Sequence, residues 1–156
     1  METTFARQPD GAATASQSLP TAPAAGANPL SVFLVEDSAP IRERITEMLA
    51  AIDGVRMSGT ADTAAAACSA ILAERPHTVI LDLRLAQGSG IDVLRRVHPL
   101  APEIEFLVLT NFATPQYRDI CLNSGASHFI DKSTEIGEVR RIVAERAASR
   151  AGGHLN

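Results

Sequence analysis

The sequence predicts an α/β fold: a doubly wound (βα)5 sandwich, three layers deep, around a five-stranded parallel sheet. Three observations lead there. From Leu30 onward short apolar runs alternate with amphipathic stretches at helical spacing, the pattern of strands joined by crossover helices. Pro76, Pro99, Gly54 and Gly125 fall where helical stretches must stop. At 156 residues, 46% hydrophobic and 21% charged, the chain has the size and composition of one domain with a real core. With right-handed crossovers, five such units give a doubly wound sandwich most simply.

The elements follow in order. "LSVFLV", 30 to 35, is the first strand. Ser38 offers an N-cap and Pro40 suits a first turn. Ile41, Ile45, Met48, Leu49 and Ile52 then share one helical face up to a stop at Gly54. "VRMSGT" is a modest second strand, and "DTAAAACSAILAER" an Ala-rich helix ended by Pro76. "HTVILD" is the third strand. After the loop "LRLAQGSG", Ser89 and Asp92 form a capping box for a helix carrying Ile91, Val93, Leu94 and Val97, closed by Pro99. "IEFLVLT" is the fourth strand. Thr114 and Pro115 open a helix that runs to Gly125. "SHFID" is the fifth strand, and "TEIGEVRRIVAERAASR" the last helix, with Ile136, Val139, Ile142 and Val143 as its stripe.

Outside this body, residues 1 to 28 are rich in Ala, Pro, Ser, Thr and Gly. That composition reads as a disordered tail, too poor in large apolar groups to offset its ordering entropy. It has neither the basic start and apolar stretch of an export signal nor an Arg bias. The folded domain is expected over 29 to 150, with a C-terminal tail at 151 to 156. No run approaches the ~18 apolar residues of a membrane span. A net charge of −4 with scattered signs speaks against a nucleic-acid surface. Cys68 and Cys121 lack metal-ligand spacing and read as buried thiols in a reducing cytosol.

In doubly wound folds, ligands bind beyond the carboxyl ends of the strands. There the first strand delivers Glu36 and Asp37, the third Asp82, the fourth Thr110, and the fifth Asp131 and Lys132. Glu36, Asp37 and Asp82, so gathered, raise one another's pKa unless a cation joins them. A hard, oxygen-seeking ion such as Mg²⁺ fits. Lys132 and Thr110 add the positive charge and hydroxyl that suit the oxygens of a transferred phosphoryl group, and Asp82 is placed to be the nucleophile. Each residue alone has an ordinary reading as a loop cap or a solvated group; Glu36, Asp37, Asp82, Thr110 and Lys132 together, in strand order, do not.

The pieces "FLVEDS", "VILDLRL" followed by "GSGIDVL", "FLVLTN" and "GASHFIDKS" closely resemble the response-regulator receiver domain of two-component signalling, over roughly residues 29 to 148. The resemblance implies a CheY-like fold with flavodoxin-like strand order 2-1-3-4-5. It implies Asp82 as phospho-acceptor, Glu36 and Asp37 as the acidic pair, and Thr110 as the switch hydroxyl. Lys132 becomes the phosphate-contacting lysine and Phe129 the switch aromatic. Mg²⁺ would be held by Asp37, Asp82, the backbone carbonyl of Arg84 and waters, with Glu36 acting mainly through a water. The donor would be a phosphohistidine on a sensor histidine kinase or a histidine phosphotransfer protein. The readout would be the fourth helix, fifth strand and fifth helix, roughly 112 to 147, presented to a downstream protein target in the cytoplasm. Such a protein catalyses only its own phosphotransfer and dephosphorylation. With eight residues after Ala148, a stand-alone receiver is expected, with no direct nucleic-acid or membrane partner.

Several positions depart from the commonest family choice. Glu36 stands for a more frequent Asp, Phe129 lacks a tyrosine hydroxyl, and Asn111 is bulkier than usual. Arg84 and Phe112 flank the cleft mouth, predicting a long-lived acyl phosphate. Ser133 follows Lys132 in place of a common proline, so a cis bond is not expected there. His128 reads as a surface histidine, and His77 and His98 border structural elements; His154 sits in the tail. Glu138, Arg140, Arg141, Glu145 and Arg146 read as a solvated helix face with local pairing, a docking or homodimer surface being the sharper alternative. Among rival classes, the haloacid-dehalogenase-like phosphatases want D-x-D, and Arg84 stands at the second acid. A P-loop is absent. The serious rival is a receiver-like docking module with no phosphorylation cycle.

Overall fold

The computed structural model describes residues 28–153. The predicted N-terminal tail, Asn28 apart, lies outside the described residues, as does His154. The elements are β1 (Leu30–Val35), α1 (Ala39–Ala50), β2 (Val55–Ala61), α2 (Ala64–Glu74) and β3 (Thr78–Leu81). They continue as α3 (Gly90–Val97), β4 (Glu105–Thr110), α4 (Pro115–Asn123), β5 (His128–Asp131) and α5 (Ile136–Gly153). The five strands are all parallel and ordered β2-β1-β3-β4-β5, the expected arrangement.

Side chains alternate between sheet faces along a strand, and the two cores follow that period of two. Phe33, Val35, Val79, Leu81, Phe106 and Val108 face α2, α3 and α4, meeting Ala67, Ile71, Val93, Leu94, Val97 and Cys121. Val32, Leu34, Ile80, Leu107, Leu109 and Ile130 face the other way, onto Ile45 and Leu49 of α1 and Val139, Ile142 and Val143 of α5. Because the central strands are covered on both sides, β1 and β3 are buried along their whole length.

Local chemistry sets the helix ends. Thr63 and Thr114 each accept a backbone N–H three residues on, from Ala66 and Tyr117. Ser89 and Asp92 form the expected reciprocal capping box. Ser38 departs from expectation: it sits in the N-cap position of α1, but its hydroxyl makes no capping bond. Its backbone N–H, which side-chain capping does not use, donates to Glu36 Oε2. The α1 helix stops at Ala50, and Gly54 takes the left-handed turn into β2 at φ +83°. Where the sequence places a helix start at Thr134, Asp131 accepts the Thr134 and Glu135 N–H groups in a turn, and α5 begins at Ile136. It continues to Gly153, three residues past the expected end at Arg150, into the segment read from sequence as a tail. No peptide bond among the described residues is cis.

His77 has a structural task. Its Nδ1 accepts the Ser31 N–H at 2.9 Å while its own N–H reaches the Ser31 hydroxyl at 3.0 Å, tying the start of β1 to the approach to β3. Burial, then Arg150 and Arg56, hold the imidazole below its usual pKa. A depressed base resists a proton that the unfolded chain accepts. Stability is therefore at its full value above the unfolded histidine pKa near ~6.5 and is lost as pH falls toward the lower folded value. Urea midpoints of wild type and His77→Asn, which keeps an acceptor in place, are expected to diverge in pH dependence below about pH 6.5, with wild type the steeper.

Candidate functional site

Because every strand runs the same way, their carboxyl ends share one edge, and the residues just beyond them meet there. Between β1 and β3 the chain leaves to opposite faces, α1 to one and α3 to the other. That divergence opens a crevice at the strand ends, the usual ligand position in such sheets. Glu36 and Asp37 enter it from β1, Asp82 from β3, and Lys132 from β5.

The centre of the site is an ammonium between two carboxylates. Lys132 Nζ donates to Glu36 Oε1 and to Asp82 Oδ2, both at 2.8 Å. The three side chains are 9%, 2% and 8% exposed respectively. Burial raises the Glu36 pKa against the opposing pull of Lys132 and of the Ser38 N–H. Burial also draws on Lys132, but its bonds to Asp82 and Glu36 outweigh that and hold the ammonium above its usual pKa. Lys132 is the only lysine in the chain. That singularity is a signal the sequence carried and the motif reading passed over.

The surrounding contacts hold this centre. Glu36 Oε2 accepts the Ser38 N–H at 3.1 Å, and the Glu36 carbonyl accepts Arg42 Nη1 at 2.8 Å. Asp82 Oδ1 receives only a long contact, 3.4 Å, from the Arg84 N–H. Asp37 is exposed beside the two buried acids, and one oxygen from each of Glu36, Asp37 and Asp82 lies within 4.8 Å of the others. An all-oxygen, multiply anionic set of this size suits a hard divalent ion such as Mg²⁺.

Thr110 is fully buried at the end of β4. Its hydroxyl accepts the Phe112 N–H at 3.1 Å, and its carbonyl accepts the Lys132 N–H at 2.8 Å, so hydroxyl and lysine share one stretch of backbone. Phe129 pairs with Val108 and is partly buried against the α2–α3–α4 core. It also borders a cavity of about 290 Å³ lined by Thr114, Arg118 and Thr134. At the mouth, the Arg84 guanidinium sits 4.5 Å from the centre of the Phe112 ring, a cation–π contact across the cleft. Sequence placed both residues at the mouth without showing that they touch.

Gly90 is the residue that motif reading left without a physical role. A Cβ there would lie 2.4 Å from the Asp82 carbonyl oxygen and 3.1 Å from Leu83 Cα. The start of α3 packs directly on the backbone carrying the central acid, and the Gly90 N–H closes the loop onto Leu83 O at 2.9 Å.

The charged groups away from the site sort out as follows. Arg141 pairs with Glu138 and Glu145 on the exposed face of α5, as expected. Arg146, expected on that solvated face, instead forks onto Glu105 at the other end of the sheet, two bonds of 2.9 Å. His128 lies 3.7 Å from the same carboxylate, far from any relay to Lys132. Cys68 and Cys121 are buried free thiols; burial lifts Cys121 to about 11, so it stays protonated at neutral pH.

The response regulator receiver domain model matches residues 32–144. The chain belongs to that family. Among curated relatives, the receiver is 30% identical over 122 residues to the DNA-binding transcriptional activator DevR/DosR of Mycobacterium tuberculosis, covering 78% of this chain and 56% of that protein. It is 31% identical over 144 residues to a protein-glutamate methylesterase/protein-glutamine glutaminase of Anaeromyxobacter dehalogenans, covering 86% of this chain and 39% of the relative. The chain thus spans about half or less of these relatives' length. A solved CheX–CheY–BeF3–Mg²⁺ complex from Borrelia burgdorferi matches with TM-score 0.69 and 22% identity, over 76% of this chain and 89% of that one, which shows the shared fold.

Gly90→Ala is expected to lower stability by about 1–3 kcal/mol, since the new methyl meets main chain and not a flexible side chain. The urea midpoint, compared with that of an exposed control such as Gly137→Ala, checks it.

Proposed function

We propose that this receiver takes a phosphoryl group from a histidine kinase or histidine phosphotransfer protein onto Asp82, with Mg²⁺, and displays the result to a downstream protein in the cytoplasm. The observation that carries the reading is the buried lysine already seated on Asp82, beside a cluster of acids that suits a hard divalent ion. In the transfer, an Asp82 carboxylate oxygen bonds to phosphorus as the phosphorus–nitrogen bond to the donor imidazole breaks. The nitrogen leaves with the bonding pair. Mg²⁺, when bound by Asp37, Asp82 and the Arg84 carbonyl, supplies positive charge that offsets the repulsion between anionic nucleophile and anionic donor. The Borrelia CheY complex contains Mg²⁺, which supports the same ion here.

The chain's own groups do the rest. Lys132, 2.8 Å from Asp82 Oδ2, needs only to swing its ammonium onto a phosphoryl oxygen. Thr110 offers its hydroxyl hydrogen to another while its oxygen still accepts the Phe112 N–H. A shift of that hydroxyl therefore tugs the loop after β4, which leads into α4. The α4 helix is weakly seated: Cys121 is its one buried side chain, while Tyr117, Ile120 and Leu122 stand exposed. A modest local event there shifts the population between two packings of the α4–β5–α5 face.

Wild type incubated with Mg²⁺ and acetyl phosphate is expected to gain the mass of one phosphoryl group in an acid-stable, base-labile adduct, and Asp82→Asn to gain none. Intact-mass spectrometry reads this, and an unmodified wild type would favour the docking-module alternative.

The Arg84–Phe112 contact narrows the path for attacking water and supports a long-lived acyl phosphate. Removing it with Arg84→Ala is expected to speed loss of label after donor removal by about two- to fivefold, the rate equivalent of an exposed cation–π contact. Rapid loss from wild type itself would contradict the long lifetime.

A further inference from the structure

We propose that the groove between α3 and α4 is a self-association surface, filled by the same groove of a second copy of this chain about a two-fold axis. The groove holds about 740 Å³ and is lined by Arg95 and His98 from the end of α3 and by Ile120, Leu122, Asn123 and Gly125 from the end of α4. Its rim is apolar. Ile120 and Leu122 stand 36% and 37% exposed, and Leu100, next to Pro99 on the α3 side, is 62% exposed, the highest of any large apolar side chain among the described residues. At its floor the His98 ring packs against the main chain at Gly125, where no side chain would fit. His98 Nδ1 is buried there with no hydrogen-bond partner among the described residues. Polar atoms shut away from water are usually paired, so the single chain leaves this surface incomplete.

The charges choose the occupant. A two-fold interface brings one patch against itself, so the patch must carry both halves of every contact. This one does. Arg95 lines the groove, and Asp119 sits on α4 one turn before Leu122 and Asn123, on their side of the helix. Both are exposed, and among the described residues neither has an ion-pair partner. Across a two-fold axis each Arg95 faces the copy's Asp119, and the apolar rims meet each other. A partner carrying one sign of charge would suit one of the two and repel the other. The α5 face, by contrast, spends most of its charges internally, Arg141 on Glu138 and Glu145, and Arg146 on Glu105. The gain falls to α4. Cys121 is its one buried side chain and residues 111–120 are all exposed, so a copy laid over Ile120 and Leu122 supplies the cover its own domain does not.

Sedimentation equilibrium of the full chain, run from about 10 µM to about 1 mM, where a small interface associates, is expected to show a weight-average mass rising from monomer toward dimer. Because every contact occurs twice, Arg95→Glu is expected to weaken the dimer by about tenfold, as is Asp119→Arg, and the double variant Arg95→Glu/Asp119→Arg to return it to within about threefold of wild type. Leu122→Ser, which trims the rim without changing charge, is expected to weaken it by about tenfold as well. Arg141→Glu, on the exposed face of α5, is expected to leave it unchanged. A wild type that stays monomeric over the whole range overturns the proposal and leaves the groove to an unlike protein. So does a double variant that fails to recover the dimer, since the losses in the single variants then have a cause other than their pairing. A dimer broken by Arg141→Glu and spared by Leu122→Ser belongs to α5, and overturns it too. All four positions are exposed, and thermal melts confirm that each variant is folded; Asp119→Arg and Leu122→Ser carry the test should Arg95→Glu fail to fold. Neither phosphodonor nor metal enters the measurement, so its result is independent of the phosphoryl-transfer reading.

Discussion

The ion triad of Glu36, Lys132 and Asp82 is the constraint around which the site is organised. Taking three charges out of water costs several kcal/mol per ion, and only close, well-directed pairing repays it. That pairing demands that the ends of β1, β3 and β5 lie at one edge of the sheet. The parallel sheet, with β1 beside β3, meets that demand. The pairing also requires Gly90, because the loop carrying Asp82 must touch the start of α3 without a side chain between them.

Rigidity at the site contrasts with looseness beside it. The α3 helix, only eight residues long, buries Gly90, Val93, Leu94 and Val97. The nine-residue α4 buries Cys121 alone and presents apolar side chains to solvent. Strong packing of α3 steadies the loop that carries Asp82, whereas α4 has the least buried side chain to lose. Phe129, half-buried beside a cavity, sits between the two regimes. In the proposed function, such a division is what would let a change of charge at one edge be read as a change of surface some distance away.

Much of this was legible in the residues because it depends on local rules. Alternating apolar runs and Pro and Gly punctuation located the strands and helices, and the Ser89–Asp92 box formed as its spacing dictates. The strand-end acids, Thr110 and Lys132 were found because a parallel fold sends every strand end to one side. Ser38 has the residue type and position of a cap, but Pro40 at the second helical position removes one of the N–H groups its hydroxyl would bind, and no capping bond forms. Arg146 has the spacing of an exposed helix residue, yet Glu105, far off in sequence, faces it across β4 and draws it in. A helix pattern contains no information about a partner as distant as Glu105.

The sequence by itself determined the alternation of strand and helix, the parallel sheet, and which chemical groups stand beyond its strands. Propensity, capping and hydrophobic period act over a few residues, and family motifs preserve their spacing. Only the tertiary structure decided who pairs with whom: that Lys132 bridges Glu36 and Asp82, that Asp37 alone of the three acids faces solvent, and that Arg84 lies over Phe112. These contacts join residues as far as 96 positions apart. Their geometry follows from strand order and register, which no stretch of chain specifies alone. Burial then assigns different tasks to acids that look alike as letters.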